Sequence, residues 1–179
     1  IEKVAFKEPQ RLKDHILGIK KQINGTYQEM RRLSHWLHPA LLSDLGLEPA
    51  LEAYFKNISE RCDLKIDFKM MGFAKWANLD IESVLYRLAQ EALTNTLKHA
   101  SATRFKLSII KSYPNIIFLA QDDGIGFDAE QFKWKRPSLG LLSMRERAAM
   151  LGGKFTLQTA KGAGVRIRIE IPLKESVDE

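Results

Sequence analysis

Apolar residues recur at spacings of three and four at Leu12, Ile16, Ile19, Ile23, Tyr27, Met30, Leu33 and Leu37, the seam of a helix that packs against other helices. Pro9 stands before that seam, where a first-turn N–H has no partner to lose. Asn24-Gly25 weakens the middle and predicts a bend, and Pro39 predicts a stop or kink. From Ser43 the stretch S-D-L-G-L-E-P-A-L reads as a turn into a second helix near Glu48 to Arg61, with Leu51, Tyr54, Phe55 and Ile58 on one face. After that junction the period changes to two, and Leu64 to Met70 predicts a half-buried strand. Met71 to Asn78 reads as loop and Ile81 to His99 as a strong helix. Strands follow near Arg104 to Ser112 and Asn115 to Gln121, joined by Tyr113-Pro114. A polar loop spans Asp128 to Ser138, and a short helix runs from about Leu141 to Leu151 until Gly152-Gly153 ends it. Strands Lys154 to Thr159 and Val165 to Ile171 complete the chain around a Gly-rich turn at Lys161 to Gly164. The predicted class is α+β, a two-layer α/β sandwich with a mixed sheet and its helices on one face.

With 179 residues, 45% of them apolar, the chain can bury one core and carry an accessory helical segment. Charges interrupt every apolar stretch, so no span of the roughly 20 apolar residues that cross a bilayer is visible. The chain opens at Ile1 without Met, in what reads as mid-helix sequence. The expectation is a cytoplasmic piece of a longer protein whose preceding part could include membrane segments. Cys62 is the single cysteine, which excludes an internal disulfide and a cysteine-based metal cluster. The formal charge of +6 raises the question of nucleic acid, but Lys and Arg are dispersed among Asp and Glu rather than gathered in runs, so no nucleic acid is expected. A basic balance equally suits a triphosphate ligand or an acidic protein partner.

Four motifs carry candidate chemistry. In E-A-L-T-N-T-L-K-H-A, Glu91, Asn95 and Lys98 are spaced four and three apart and predict one polar helical face. That face is either a solvated side or a site where the Asn95 oxygen is a hard ligand for Mg²⁺, Glu91 holds a metal-bound water and Lys98 meets phosphate. D-D-G-I-G-F at Asp122 to Phe127 follows an apolar strand. It is either an ordinary hairpin turn or a place where Asp122 accepts from an exocyclic amino group while Gly124 and Gly126 let backbone approach a planar base. L-G-L-L-S-M-R-E-R at Leu139 to Arg147 puts Gly140 and Leu141 at a helix entry, where free N–H groups attract anions. K-G-A-G-V-R at Lys161 to Arg166, with Gly164 and Val165, is a tight turn between strands.

Each motif is weak alone; their order is specific. From about Leu64 to Leu173 the series resembles the ATP-binding domain of the gyrase, heat-shock-chaperone, histidine-kinase and mismatch-repair superfamily, the Bergerat-type fold. Upstream, R-R-L-S-H-W-L-H-P-A-L-L-S-D-L-G-L-E-P-A-L at Arg31 to Leu51 is similar to the second dimerisation helix and linker of nitrate-sensor-type sensor histidine kinases. The resemblance divides the chain into partial dimerisation helices, 1–47, and an ATP-binding catalytic domain, 48–179. It implies ATP and Mg²⁺ as ligands, with Asn95 binding the metal, Glu91 organising it, Lys98 and His99 facing phosphates, and Asp122 reading the adenine amino group. It implies that Gly124, Gly126, Gly140, Leu141, Gly164 and Val165 shape the pocket and its lid. It also implies homodimerisation through the helices and relay of the phosphoryl group to a response regulator whose receiver has an acidic pocket. Two positions depart from the family: Ser138 stands where many relatives have glycine, and His38 where arginine is usual.

The family's phosphoacceptor is a histidine followed by an acidic residue that acts as base, and no such pair occurs here. His15 is followed by Ile16 and His35 lies near the linker, so the acceptor is expected upstream of Ile1. A competing reading keeps the nucleotide fold in an anti-sigma or switch protein, or in a pseudokinase acting by partner binding. The chain is expected to bind ATP without labelling itself: incubation with γ-labelled ATP should leave no acid-labile, base-stable phosphate. Robust labelling of His15 or His35 would overturn this reading.

Overall fold

The structure, a computed structural model, describes residues 42, 45–73, 78–128 and 139–173. Backbone contacts divide the chain into two compact units, Ile1–Ala40 and Leu41–Glu179, and every described residue belongs to the second. The predicted Pro9 helix with its seam and Asn24-Gly25 bend, the Pro39 stop, and His15, His35 and His38 therefore lie outside the described residues. So do 74–77 of the first predicted loop and 129–138 of the second, Ser138 included.

The first described helix, α1 (Leu47–Ser59), buries Leu47, Ala50, Leu51 and Phe55 at helical spacing, with Glu48 in its first turn and Lys56 in its last, each matched to the local end of the helix dipole. Strand β1 (Lys65–Met71) leads to the long helix α2 (Leu79–Asn95). Asn78 starts that helix, its side-chain oxygen accepting from the Ile81 amide at 3.1 Å. A single π-turn, Thr96–Ala100, continues it and stops at Ser101, whose φ of 49° is left-handed. The hairpin of β2 (Arg104–Ser112) and β3 (Asn115–Asp122) turns at a cis Tyr113–Pro114 bond. Helix α3 (Leu139–Met150) ends as the glycine pair predicts: the Gly152 amide donates to Ala149, the Gly153 amide to Ala148, and Gly152 has φ +67°. Strands β4 (Lys154–Thr159) and β5 (Val165–Pro172) close the sheet.

The sheet order is β1-β2-β3-β5-β4, with β1 parallel to β2 and every other pair antiparallel. The parallel pair is the product of the α2 crossover between its two strands. Alternation then sorts the residues: Phe105, Leu107 and Ile109 of β2, Ile116, Phe118 and Ala120 of β3, and Ile167, Ile169 and Ile171 of β5 are buried against Leu85, Leu88, Ala89, Ala92 and Leu93 of α2 and Leu141, Met144 and Ala148 of α3. Phe55 brings α1 into the same core, with its ring 5.2 Å from that of Phe68 and 6.4 Å from that of Phe105. The mixed sheet with helices on one face is the predicted two-layer sandwich.

One exposed clamp holds the start of β2. Asp123 accepts from the Thr103 hydroxyl at 2.7 Å and from the Thr103 and Arg104 amides at 2.8 Å each. The Thr103 hydroxyl, with the two amides behind it, holds the Asp123 carboxyl below the usual carboxylate range. A depressed pKa stabilises the fold above the ordinary aspartate value and ceases to do so as pH falls through the folded one. Asp123→Asn should therefore unfold more easily than the wild type at neutral pH, with the gap closing below about pH 4. Thermal unfolding against pH checks this; parallel profiles for the two proteins would refute it.

Candidate functional site

The alternation that buries Ile116, Phe118 and Ala120 carries Asp122 to the same face, and it is only 7% exposed. A carboxylate in that position needs donors. Its Oδ1 accepts from the Gly124 amide at 2.9 Å and the Val165 amide at 3.2 Å, and its Oδ2 faces the Thr96 hydroxyl at 3.3 Å. The single Thr96 proton also faces the Ala92 carbonyl at 3.2 Å.

The glycines allow this convergence. A Cβ on Gly124 would meet the Ala100 carbonyl, where the end of α2 presses against the loop and the Ile125 amide donates to that carbonyl at 2.8 Å. Gly164 has φ +69°, and its Cβ would strike the Asp122 carbonyl, so β5 can supply the Val165 amide only with glycine there. Thr159 ties the β4–β5 turn to the same loop, accepting from the Phe127 amide at 3.0 Å and donating to the Gly164 carbonyl at 2.9 Å.

Above Asp122 lies a cavity of about 710 Å³, within the range of small-molecule sites. The small side chains of Ala92, Ala100 and Ala120, with Val165 and Ile167, make an apolar slot over the carboxylate, while Asn95, His99 and Lys161 bring polar groups to the cavity. The side-chain Nδ2 of Asn95 is buried and has no hydrogen-bond partner. A buried donor left unmade costs of the order of 1–3 kcal/mol, so the site is shaped for an acceptor that completes it.

Among the predicted site residues, Asn95, His99, Asp122, Gly126, Leu141 and Val165 line this cavity. Gly124 and Gly164 stand behind Asp122. Glu91 lies beside Gly140, whose Cβ would meet its carboxylate oxygen and would come within 3.2 Å of the Asn95 oxygen. The first turn of α3 thus rests on Glu91 and Asn95. Lys98 differs from the expectation: it is exposed and outside the lining. In an α-helix, positions 91, 95 and 98 share a face, but the π-turn advances each residue through a smaller angle. His99, four residues after Asn95, borders the cavity together with Ala92, Asn95 and Thr96.

Thr96 escaped the sequence reading. Its signal was faint: a threonine beside Asn95 at the end of a helix that alternation places opposite a buried aspartate.

Residues 80–175 match the family described as histidine kinase-, DNA gyrase B- and HSP90-like ATPase. The chain is similar to the signal transduction histidine-protein kinase/phosphatase DegS of Brevibacillus brevis, 36% identical over 158 residues, covering 88% of this chain and 40% of DegS. It is similar to the oxygen sensor histidine kinase NreB of Staphylococcus carnosus, 32% identical, with 91% of this chain and 48% of NreB covered. The chain therefore spans less than half the length of these relatives. In fold it resembles the histidine kinase AdeS of Acinetobacter baumannii, at TM-score 0.58 and 19% identity over 93% of each chain. The blue-light activated histidine kinase of Erythrobacter litoralis matches at TM-score 0.59 and 22% identity over 73% of this chain and 42% of that one. Among the described residues no helix is long and apolar enough to cross a membrane.

Replacing Thr96 by Val deletes the hydroxyl that faces Asp122 Oδ2 while keeping the shape. The expected loss is about 1–2 kcal/mol of unfolding free energy, with Thr96→Ser retaining most of it. Urea denaturation measures both, and a Val variant as stable as the wild type would remove the hydroxyl from the account.

Proposed function

The chain belongs to the histidine kinase-, DNA gyrase B- and HSP90-like ATPase family, and from that premise we propose that it is the catalytic part of a sensor histidine kinase, binding Mg-ATP and presenting the γ-phosphoryl group to a histidine. The observation that carries the reading is the pairing of a buried carboxylate, Asp122, with the unpartnered Asn95 amide across one apolar cavity. Asp122 still has acceptor capacity beyond its three protein donors, and in this reading it takes the adenine amino group. The planar ring fills the slot between the alanines and Val165 and Ile167.

The triphosphate then runs toward Asn95, His99 and the first turn of α3, where Gly140 keeps the helix close and free N–H groups favour anions. Among the described residues no three His, Cys, Asp or Glu side chains gather to hold a metal. Mg²⁺ suits such a place because it takes few protein ligands and binds mainly through substrate phosphates and water. Asn95 would hold it through the amide oxygen and Glu91 through an intervening water, and its chemistry there is neutralising charge on the transferring group. The protein's own part is positioning: Asp122 fixes the base, the alanine slot excludes water, and Glu91 and Asn95 set the phosphate end against α3. Lys98, exposed and outside the lining, reaches phosphate only by turning its side chain inward.

We read the protein partners in the same frame. The relatives are named as histidine kinases, and the relay they belong to passes phosphate to a response-regulator receiver. Dimerisation through the helical segment before residue 48 completes the proposal.

Asp122→Asn replaces a charged acceptor with a group that presents a donor to the adenine amino group. ATP affinity should fall by about 1.5–3 kcal/mol, roughly ten- to a hundredfold. Calorimetric titration reads this directly, and an unchanged affinity would discard the adenine assignment.

A further inference from the structure

Ile125 and Lys161 border the cavity and have no role in the chemistry described so far. Ile125 is 58% exposed, an apolar side chain that the core does not use. Its backbone is nevertheless fixed on both sides: its amide donates to the Ala100 carbonyl at 2.8 Å, and its carbonyl accepts from the Gly162 amide at 2.6 Å. A single exposed aliphatic residue is ordinary on a protein surface. One locked in place at the mouth of an apolar slot is poised to be covered by what enters the slot.

Lys161 stands on the β4–β5 turn, exposed, and lines the same cavity. It makes no ion pair among the described residues. The turn is held as firmly as the loop beside it. The Ala163 amide donates to the Ala160 carbonyl at 3.0 Å, and that carbonyl lies against Gly126, where a Cβ would strike it. Gly126 has φ +55°, so glycine there is what lets loop and turn meet backbone to backbone. Ile125 and Lys161 are two parts of one rigid rim.

That rim belongs to the Asp122 end of the cavity. The turn that carries Lys161 ends at Gly164, which lies against the Asp122 carbonyl, and at Val165, whose amide donates to the Asp122 carboxylate at 3.2 Å. In the proposed reading the base sits at this end, while the phosphates run toward Asn95 and the first turn of α3. A purine whose amino group meets the buried Asp122 carries its opposite edge outward, toward the rim.

A lysine in this position has two possible uses. As a cation it would attract phosphate; as an amphipathic chain it lays its methylenes on an apolar surface and keeps its ammonium in water. Its place at the base end, beside Ile125 and Phe127, favours the second.

We propose that Ile125 and Lys161 clamp the nucleobase, with Ile125 and the lysine methylenes covering the part of the ring that the alanine slot leaves open. The clamp sets affinity for the nucleoside rather than for the phosphates. The inference rests on the proposed function and adds two ligand-contacting residues that the sequence motifs left without a role.

The test titrates adenosine, ADP and ATP into the 179-residue chain and its Lys161→Ala, Lys161→Met and Ile125→Ser variants, with binding read from amide chemical shifts. Lys161→Ala and Ile125→Ser should each weaken binding by about three- to tenfold, by the same factor for all three ligands. Lys161→Met keeps the stem and drops the charge, so it should stay within about twofold of the wild type, and the alanine loss should persist between about 0.05 and 0.3 M salt. Thermal midpoints without ligand should match throughout, because both side chains are exposed; a lower midpoint for Ile125→Ser would assign that residue to the fold and overturn the clamp. A Lys161 loss that grows from adenosine to ATP, fades in salt and recurs in Lys161→Met makes the residue a phosphate cation and overturns the clamp as well. Unchanged affinity in both Lys161→Ala and Ile125→Ser overturns the clamp and leaves the nucleotide reading intact, whereas a wild type that binds none of the three ligands overturns that reading itself.

Discussion

The described unit is organised around a carboxylate that alternation has forced inside. Asp122 is the last core-facing residue of β3, and burying it is tolerable only because amides from Gly124 and Val165 and the hydroxyl of Thr96 converge on it. Those donors come from a loop, the start of β5 and the end of α2. One buried charge therefore fixes where three separate parts of the chain meet, and the glycines at 124 and 164 stand where a side chain would keep them apart.

That convergence explains how much of the molecule could be read from sequence. Strand periods were plain in β5 and most of β2, where apolar and polar residues alternate, while β3 reads as a continuous apolar run, and Gly152-Gly153 gave the end of α3 by its own chemistry. Asp122 was a candidate from sequence, although an acid before glycine also reads as an ordinary hairpin turn and only the order of the motifs singled it out. What was not legible depends on phase. The π-turn at Thr96–Ala100 leaves no mark in composition, and Lys98 within it lies outside the cavity lining that the sequence reading expected it to join. Thr96 becomes meaningful only once α2 is laid across the end of β3.

The charge distribution has the same character. Along the sequence the cations are dispersed, but strands of period two placed side by side collect every second residue from several segments onto one plane. The sheet thus separates two environments. Its inner face is apolar and ends in the cavity over Asp122; its outer face holds most of the net charge. A sequence scan for runs of Lys and Arg detects linear clusters and is insensitive to one assembled across strands.

The unpartnered Asn95 amide has a further meaning. A residue chosen for folding alone would fill that position with an aliphatic side chain and leave no polar atom to be satisfied. Keeping the amide makes the ligand-free domain less stable than its own core permits, the usual bargain between durability and activity. The site is thus legible as a local thermodynamic deficit, which binding converts into cohesion between α2 and its neighbours.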